Sequence, residues 1–279
     1  MTQTHVPGIA LQGGDMTLAI EAAAWAERAG SPSFWTSEYS NRSALTTLAA
    51  AACSTAGIRL GSSIAWAFAR TPLALATELR SINELAPGRV RLGLGTGNPQ
   101  ILRDWLNVET ASPIARLTEL VGLLRELWQL DEREVDHAGE HFRCRIARDE
   151  SLPPMPRIPI LLAGGRAAMV RAAGRIADGL IGNPLSSRDY VTNVVRPLLA
   201  EGASRRSDSG GVPPITGLIL TCVSDDAAAA RRTVALQLAV YAMRESTRDV
   251  LVHSGFAAEA DAIRRALAHR DHQAAQDAV

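Results

Sequence analysis

Three glycines spaced two apart, Gly93, Gly95 and Gly97, close the apolar run PGRVRLGLGTGNP. Two kinds of chemistry use such a run. A dinucleotide turn needs G-x-G-x-x-G with a helix opening directly on the pyrophosphate. Here the spacing is G-x-G-x-G, Pro99 follows, and the next helix start is Ser112-Pro113. No acidic residue can be assigned to a ribose. The other use is the end of a strand that points into an active site, where small residues let a ligand or another backbone come close.

A second glycine site follows the apolar run IPILLAG. Gly164 and Gly165 let backbone N–H groups approach an anion at the start of a helix, and Arg166 can grip it with two donors; an ordinary tight turn is the alternative. Glu38, in TSEY, is either a carboxylate paired to a neighbouring arginine or, if burial raises its pKa, a catalytic proton donor. Thr96, Gly97 and Asn98 could hydrogen-bond a ligand's carbonyls, or form an Asx turn before Pro99. Trp35, Trp66, Phe68 and Trp105 lie at or just beyond strand ends, where aromatics can stack on a flat or apolar substrate. Trp25 and Trp128 sit mid-helix and read as core. His137 and His141 have i, i+4 spacing, but Gly139 and an alternating pattern deny them a helix, so no metal site is expected. There is no G-x-S-x-G elbow and no persuasive Ser/His/Asp set.

All 29 basic side chains are arginine. Schiff-base chemistry and a P-loop both need a lysine and are excluded. A net charge of zero argues against nucleic acid or an anionic membrane as partner. No apolar run is long enough to span a bilayer, and MTQTHVPGIALQ lacks the regions of a signal peptide, so the expected compartment is the cytoplasm. Cys53, Cys144 and Cys222 read as buried free thiols there.

Positioning these residues falls to a regular alternation of strand and helix. Strands are expected at Gly8–Leu11, SFWTSEY, IRLGSSIA, VRLGLG, IPILLAG, GLIGN and PITGLILTCV. The helices between them carry Asp15, Ser43 and Thr71 as N-caps, and Leu73, Ala76, Leu79 and Ile82 fall on one face of the third. Pro197 should kink the helix that starts near Ser187. EVDHAGEHFRCRI reads as a hairpin within an insertion at about 131–157. Seven such units in one domain, 1–279, point to a (β/α)8 barrel, whose active site lies at the C-terminal ends of its strands. Only DVLVH, Asp249–His253, is left as an eighth strand.

The block IRLGSSIAWAFARTPLALATELRSINELAPGRVRLGLGTG, with AAAWAERAG and FWTSEY before it and PILLAGGRAAMVRAAGRIADGLIGNP after, resembles the luciferase-like monooxygenase superfamily. Within it the run looks most like the branch that uses the deazaflavin coenzyme F-420. The similarity covers about Pro7 to Ser224. It implies a TIM barrel of the bacterial-luciferase type, usually with a further strand and helix after the point where this chain ends. It implies hydride transfer between F-420 and a small organic substrate. The alternatives are an FMN-dependent monooxygenase fed reduced flavin by a separate reductase, and a non-catalytic flavin-binding relative. By the same resemblance, Ser62, Ser63 and Ile64 form a bulge, often with a non-prolyl cis peptide, behind the ring. Glu38 stands where the family commonly has Asp-His near the ring's polar edge; this chain has Glu-Tyr. Thr96, Gly97 and Asn98 face the cofactor, and Ala163, Gly164, Gly165 and Arg166 form the phosphate loop. A homodimer paired through barrel helices is implied as well.

Overall fold

The computed structural model describes residues 6–97, 100–108, 111–208, 210–243 and 245–279. They form two compact units, 1–163 with 176–179, and 164–175 with 180–279.

The first unit runs β1 (Ile9–Leu11), α1 (Met16–Arg28), β2 (Ser33–Thr36), α2 (Ala44–Ser54), β3 (Arg59–Ser62), β4 (Ala65–Trp66), α3 (Pro72–Leu85), β5 (Val90–Gly95), α4 (Pro113–Leu127), β6 (Val135–Ala138), β7 (Arg143–Ile146) and β8 (Ile160–Ala163). Its sheet is parallel, in the order β1-β2-β3-β5-β8, with the short β4 also on β5. The expected caps close the helices: Asp15 accepts from Leu18 N–H, Ser43 from Thr46 N–H and Thr71 from Ala74 N–H. Each satisfies an N–H that the first helical turn leaves open. The core is aliphatic, with Phe34, Leu60, Leu92 and Leu94 from the strands meeting Leu48, Leu75, Leu79, Leu117 and Leu124 from the helices. On α3 the buried stripe is Leu75, Ala76, Leu79 and Ile82, so Leu75 takes the place expected of Leu73, which is exposed. Leu73 is the second residue of the helix, ahead of the turn that packs. Trp128 is core, its indole N–H on Ala76 O, but Trp25 points outward: α1 buries only its alanines Ala19, Ala23 and Ala26. Small residues let α1 lie close to its neighbours, and the large ring is turned to the outside. Cys53 is likewise exposed, because α2 turns Leu48, Ala51 and Ala52 inward, and Cys144 and Cys222 are half-buried, against the expectation of buried thiols.

Between β5 and α4 the chain makes a π-helical turn, Ile101–Trp105. The insertion is the expected hairpin, with His137 opposite Cys144 in the antiparallel β6–β7 ladder. Glu119 of α4 holds its tip, accepting from the N–H groups of His141 and Phe142 and contacting the His137 ring at 3.2 Å. Burial works against the charge on Glu119, but these partners outweigh it and keep its pKa below the ordinary carboxylate value.

The second unit contains α5 (Ala167–Ile176), β9 (Gly179–Ile181), α6 (Arg188–Tyr190), α7 (Arg196–Ala203), β10 (Ile215–Thr216), α8 (Ala227–Ala242), α9 (Glu245–His253), α10 (Ala257–Ala268) and α11 (His272–Asp277), with β9 and β10 parallel. Between α6 and α7 lies a π-helical stretch, Val191–Val195. It ends two residues before Pro197, whose ring clashes with the carbonyl four residues back and whose missing N–H breaks the α-helical ladder. α5 and α7 cross at Gly174 and Gly202: a Cβ on Gly174 would run into the backbone of Leu199 and Ala203, and one on Gly202 into the backbone of Arg171. The seventh strand is far shorter than PITGLILTCV. Its partner β9 stops at Ile181, so the ladder ends at Thr216, and Ile219 and Val223 are exposed. DVLVH is helical. Thr247 and Val250 are buried three apart while Val252 is exposed, which a strand's alternation would not allow. Among the described residues no strand follows Thr216.

Candidate active site

The expected third strand is broken in two. β3 ends at Ser62, β4 begins at Ala65, and the peptide between Ser63 and Ile64 is cis. The residues just past β2 hold this bulge. Ser63 N–H donates to Thr36 O at 2.7 Å, Ser37 Oγ donates to Ser63 O at 2.7 Å, and Glu38 N–H donates to Ile64 O at 2.8 Å. On the other side, Ser62 Oγ both donates to Gly93 O and accepts from Gly93 N–H, each at 2.9 Å. That hydroxyl replaces a ladder contact where the β3–β5 register has ended at Gly61. Ser62 is thus a fully buried sheet staple. Ile64 lies over Gly95, in the space a side chain there would need. The sequence signal for Gly95 is therefore close approach by a neighbouring side chain from the bulge.

Ser63 differs from Ser62. Its Oγ is buried and has no hydrogen-bond partner among the described residues. A buried hydroxyl without a partner costs about 1–3 kcal/mol, so it is expected where a ligand supplies the missing partner.

Glu38 sits directly beyond β2 and is almost fully buried. Its Oε2 accepts from Trp66 N–H at 2.9 Å and from Arg70 Nη1 at 3.1 Å, and its Oε1 from Arg70 Nη2 at 2.7 Å. Arg70 also donates to Ser43 Oγ at 3.0 Å and pairs through Nε with Glu78 at 2.8 Å. Burial opposes the guanidinium charge, but Glu38 and Glu78 outweigh it and raise the Arg70 pKa above its ordinary value. Both carboxylate oxygens of Glu38 are thus occupied by the protein itself. Sequence reasoning missed Arg70, although a lone arginine in the apolar run AWAFARTP was the available signal.

The aromatic residues separate into two places. Trp35 lies within β2, its ring over Gly61 and its indole N–H on Ser33 Oγ. Trp66, the last residue of β4, meets Trp105, ring centroids 5.7 Å apart and tilted by 58°. Phe68, two residues on, is buried beneath the Arg116 guanidinium. Thr96 Oγ1 donates to Gly97 O, and Gly97 has φ of +73°, a conformation that favours glycine. Asn98 lies outside the described residues.

In the second unit, Gly164, Gly165 and Arg166 stand immediately before α5, and Ala163 is the last residue of β8, ahead of them. Tyr190 fixes this loop by donating its hydroxyl to Gly165 O at 3.0 Å. Burial raises the Tyr190 pKa, with Asp249 adding to the effect, so the phenol stays a donor. The Arg166 side chain is exposed and has no ion pair among the described residues. Nothing in the local sequence singled out Tyr190.

Comparison with known proteins fits this geometry. Over 236 residues the chain is 31% identical to a putative coenzyme F-420-dependent oxidoreductase of Mycobacterium tuberculosis, covering 79% of this chain and 67% of that protein. The structure of the coenzyme F-420-dependent tetrahydromethanopterin reductase of Methanopyrus kandleri superposes with a TM-score of 0.76 at 23% identity, over 98% of this chain and 82% of the other. The oxygenating constituent of 3,6-diketocamphane monooxygenase of Pseudomonas putida, a type II Baeyer-Villiger enzyme in complex with FMN, gives 0.65 at 17% identity, over 99% and 84%. The shared fold is the luciferase-like α/β TIM barrel. The family model for luciferase-like monooxygenases matches residues 1–279, and the chain belongs to that enzyme family.

Proposed function

We propose that the protein is a coenzyme F-420-dependent oxidoreductase that moves a hydride between the deazaflavin and a small organic substrate. The observation that carries the reading is the buried, unpartnered hydroxyl of Ser63 on a bulge at the C-terminal end of the parallel strands. A ring with polar edges supplies the partner that this hydroxyl lacks, and the residues present fit such a group. The relative named as F-420-dependent supports the choice of deazaflavin.

When bound, the deazaflavin supplies the hydride chemistry. The protein's part is positioning. Ser63 orients the ring through its hydroxyl, while Ser37 and Glu38 hold the bulge that carries it. Glu38 acts as a positioning residue, because both of its carboxylate oxygens are engaged by the Arg70 guanidinium and Oε2 by the Trp66 N–H as well. Trp66 and Trp105 shield the reacting side from water and give a flat substrate a surface to stack on. In the second unit, the Gly164–Arg166 corner before α5 is a phosphate-binding loop.

A second reading, an FMN-dependent monooxygenase supplied by a separate reductase, is favoured by the FMN-bound neighbour. Titrating the pure protein with F-420 and with FMN, each followed by its fluorescence, separates the two. Tight binding of F-420 supports the proposal; tight FMN binding with none for F-420 overturns it. Stoichiometric binding with no turnover of any hydride donor would instead favour a non-catalytic relative. We further propose a homodimer, for which sedimentation at micromolar concentration is the test. No helix among the described residues is long and apolar enough to cross a membrane.

A further inference from the structure

Arg116, which closes the first turn of α4, carries its guanidinium over two phenyl rings. Its guanidinium carbon lies 5.0 Å from the centre of Phe68 and 5.3 Å from that of Phe142. Phe68 follows the β4 strand end and Phe142 comes from the inserted hairpin. Among the described residues the guanidinium has no carboxylate partner, and its Nε is buried without a hydrogen bond. Glu119, one turn along the same helix, is the natural counter-ion by spacing. It is engaged elsewhere, on the amides of His141 and Phe142 and on the His137 ring. A second unpartnered nitrogen, Nε2 of His141, is buried on the residue next to Phe142.

Arg116 as a residue is half-buried, and a guanidinium whose Nε is withdrawn from water with neither a counter-ion nor a partner is costly, whereas surface arginines pair or stay solvated. The two rings attract the charge through their faces and leave the in-plane donors unused. Those donors, Nε with one Nη, form the edge that takes a carboxylate or phosphate through two parallel hydrogen bonds. Phe68 stands two residues from Trp66, which meets Trp105, so apolar ring surface is close to the charge.

We infer that Arg116 is the anion-binding residue of a substrate subsite, and that the substrate is a small molecule with an aromatic or apolar body and one carboxylate or phosphate group. This rests on the reading above only in assigning the subsite to substrate. The side chain is locked in place by Phe68, Phe142 and, through the hairpin, Glu119, so the site is formed before the ligand arrives.

The test is direct binding without turnover. Benzoate, phenyl phosphate and neutral benzyl alcohol are titrated into the cofactor-free protein while tryptophan fluorescence reports on Trp66 and Trp105. The expected result is saturable binding of one or both anions, at least tenfold weaker in Arg116→Gln, with benzyl alcohol binding weaker than either and unchanged by the substitution. Tighter binding of benzoate than phenyl phosphate assigns a carboxylate substrate, and the reverse assigns a phosphate. Equal affinity of wild type and Arg116→Gln for both anions overturns the proposal. A measurement on the wild type alone guards against a variant that does not fold. Phenylglyoxal labelling of Arg116, read by peptide mass spectrometry, should be suppressed by the binding anion and unaffected by benzyl alcohol; equal labelling in both overturns it. F-420 affinity is measured alongside. Its absence, together with Arg116-dependent anion binding, would remove the deazaflavin reading and leave this subsite standing.

Discussion

Arg70 clasps both oxygens of Glu38, at 2.7 and 3.1 Å, and the same carboxylate receives the N–H of Trp66. One ion pair thereby ties the end of β2 to the start of α3 and to the strand that follows the bulge. Removing Glu38 leaves Arg70 largely buried with only the more exposed Glu78 as a counter-ion. Glu38→Ala should destabilise the protein by about 3 kcal/mol, as measured by urea unfolding. A loss under about 1 kcal/mol would mean that the pair is dispensable and that Glu38 is free for other work.

Ser63→Ala should separate stability from binding. It deletes a buried hydroxyl that has no partner, so the cofactor-free protein should unfold at the same or a higher temperature. Its affinity for F-420 should fall about tenfold, the worth of one lost hydrogen bond of about 1.4 kcal/mol. If Ser63→Ala instead lowers the melting temperature and leaves affinity alone, Ser63 is a structural residue.

The neighbouring serine should behave in the opposite way. Ser62→Ala removes a hydroxyl that serves both backbone groups of Gly93 and leaves them buried and unpaired. A loss of about 2 kcal/mol in chemical denaturation is expected. Wild-type stability in this variant would show that the sheet closes over the gap by itself.

Acid should loosen the hairpin through Glu119. Its pKa in the folded chain is below the ordinary carboxylate value of about 4.3. The folded state therefore binds this proton less readily than the unfolded chain. The stabilisation is fully present above the ordinary value and is lost as pH falls through the lowered, folded one. Urea stability measured from pH 7 down to pH 3 should show a steeper acid loss in the wild type than in Glu119→Gln. Identical slopes would place the acid sensitivity in other carboxylates, among them Glu27, whose pKa is lowered chiefly by the Gly57 N–H.

The strand–helix rhythm, the three N-caps and the hairpin were legible because each rests on local pattern: apolar period, capping side chain, alternation about Gly139. The bulge at Ser63–Ile64 was reachable only through resemblance, since no residue type there announces a break in the strand. What the sequence could not give was pairing at a distance. Glu38 and Arg70 are 32 residues apart, and whether the carboxylate is idle or occupied depends on where that arginine lands. Arg116 escaped notice for the same reason: its meaning comes from Phe68 and Phe142, both far from it in sequence, and from the hairpin amides that divert the nearby Glu119. Where local pattern misled, tertiary context had overridden it. DVLVH has the composition of a strand but buries residues at helical spacing, and PITGLILTCV stops pairing when its short partner ends.

The crossing of α5 and α7 at Gly174 and Gly202 has a reach beyond its own contact, because main chain there touches main chain with no side chain to absorb a change. A methyl group at either position must drive the two rods apart. α5 would then swing as a lever, displacing the amides of Gly164 and Gly165 at its far end, roughly 12 Å from the point of pressure. The phosphate affinity proposed for that corner would thus respond to a substitution made outside it.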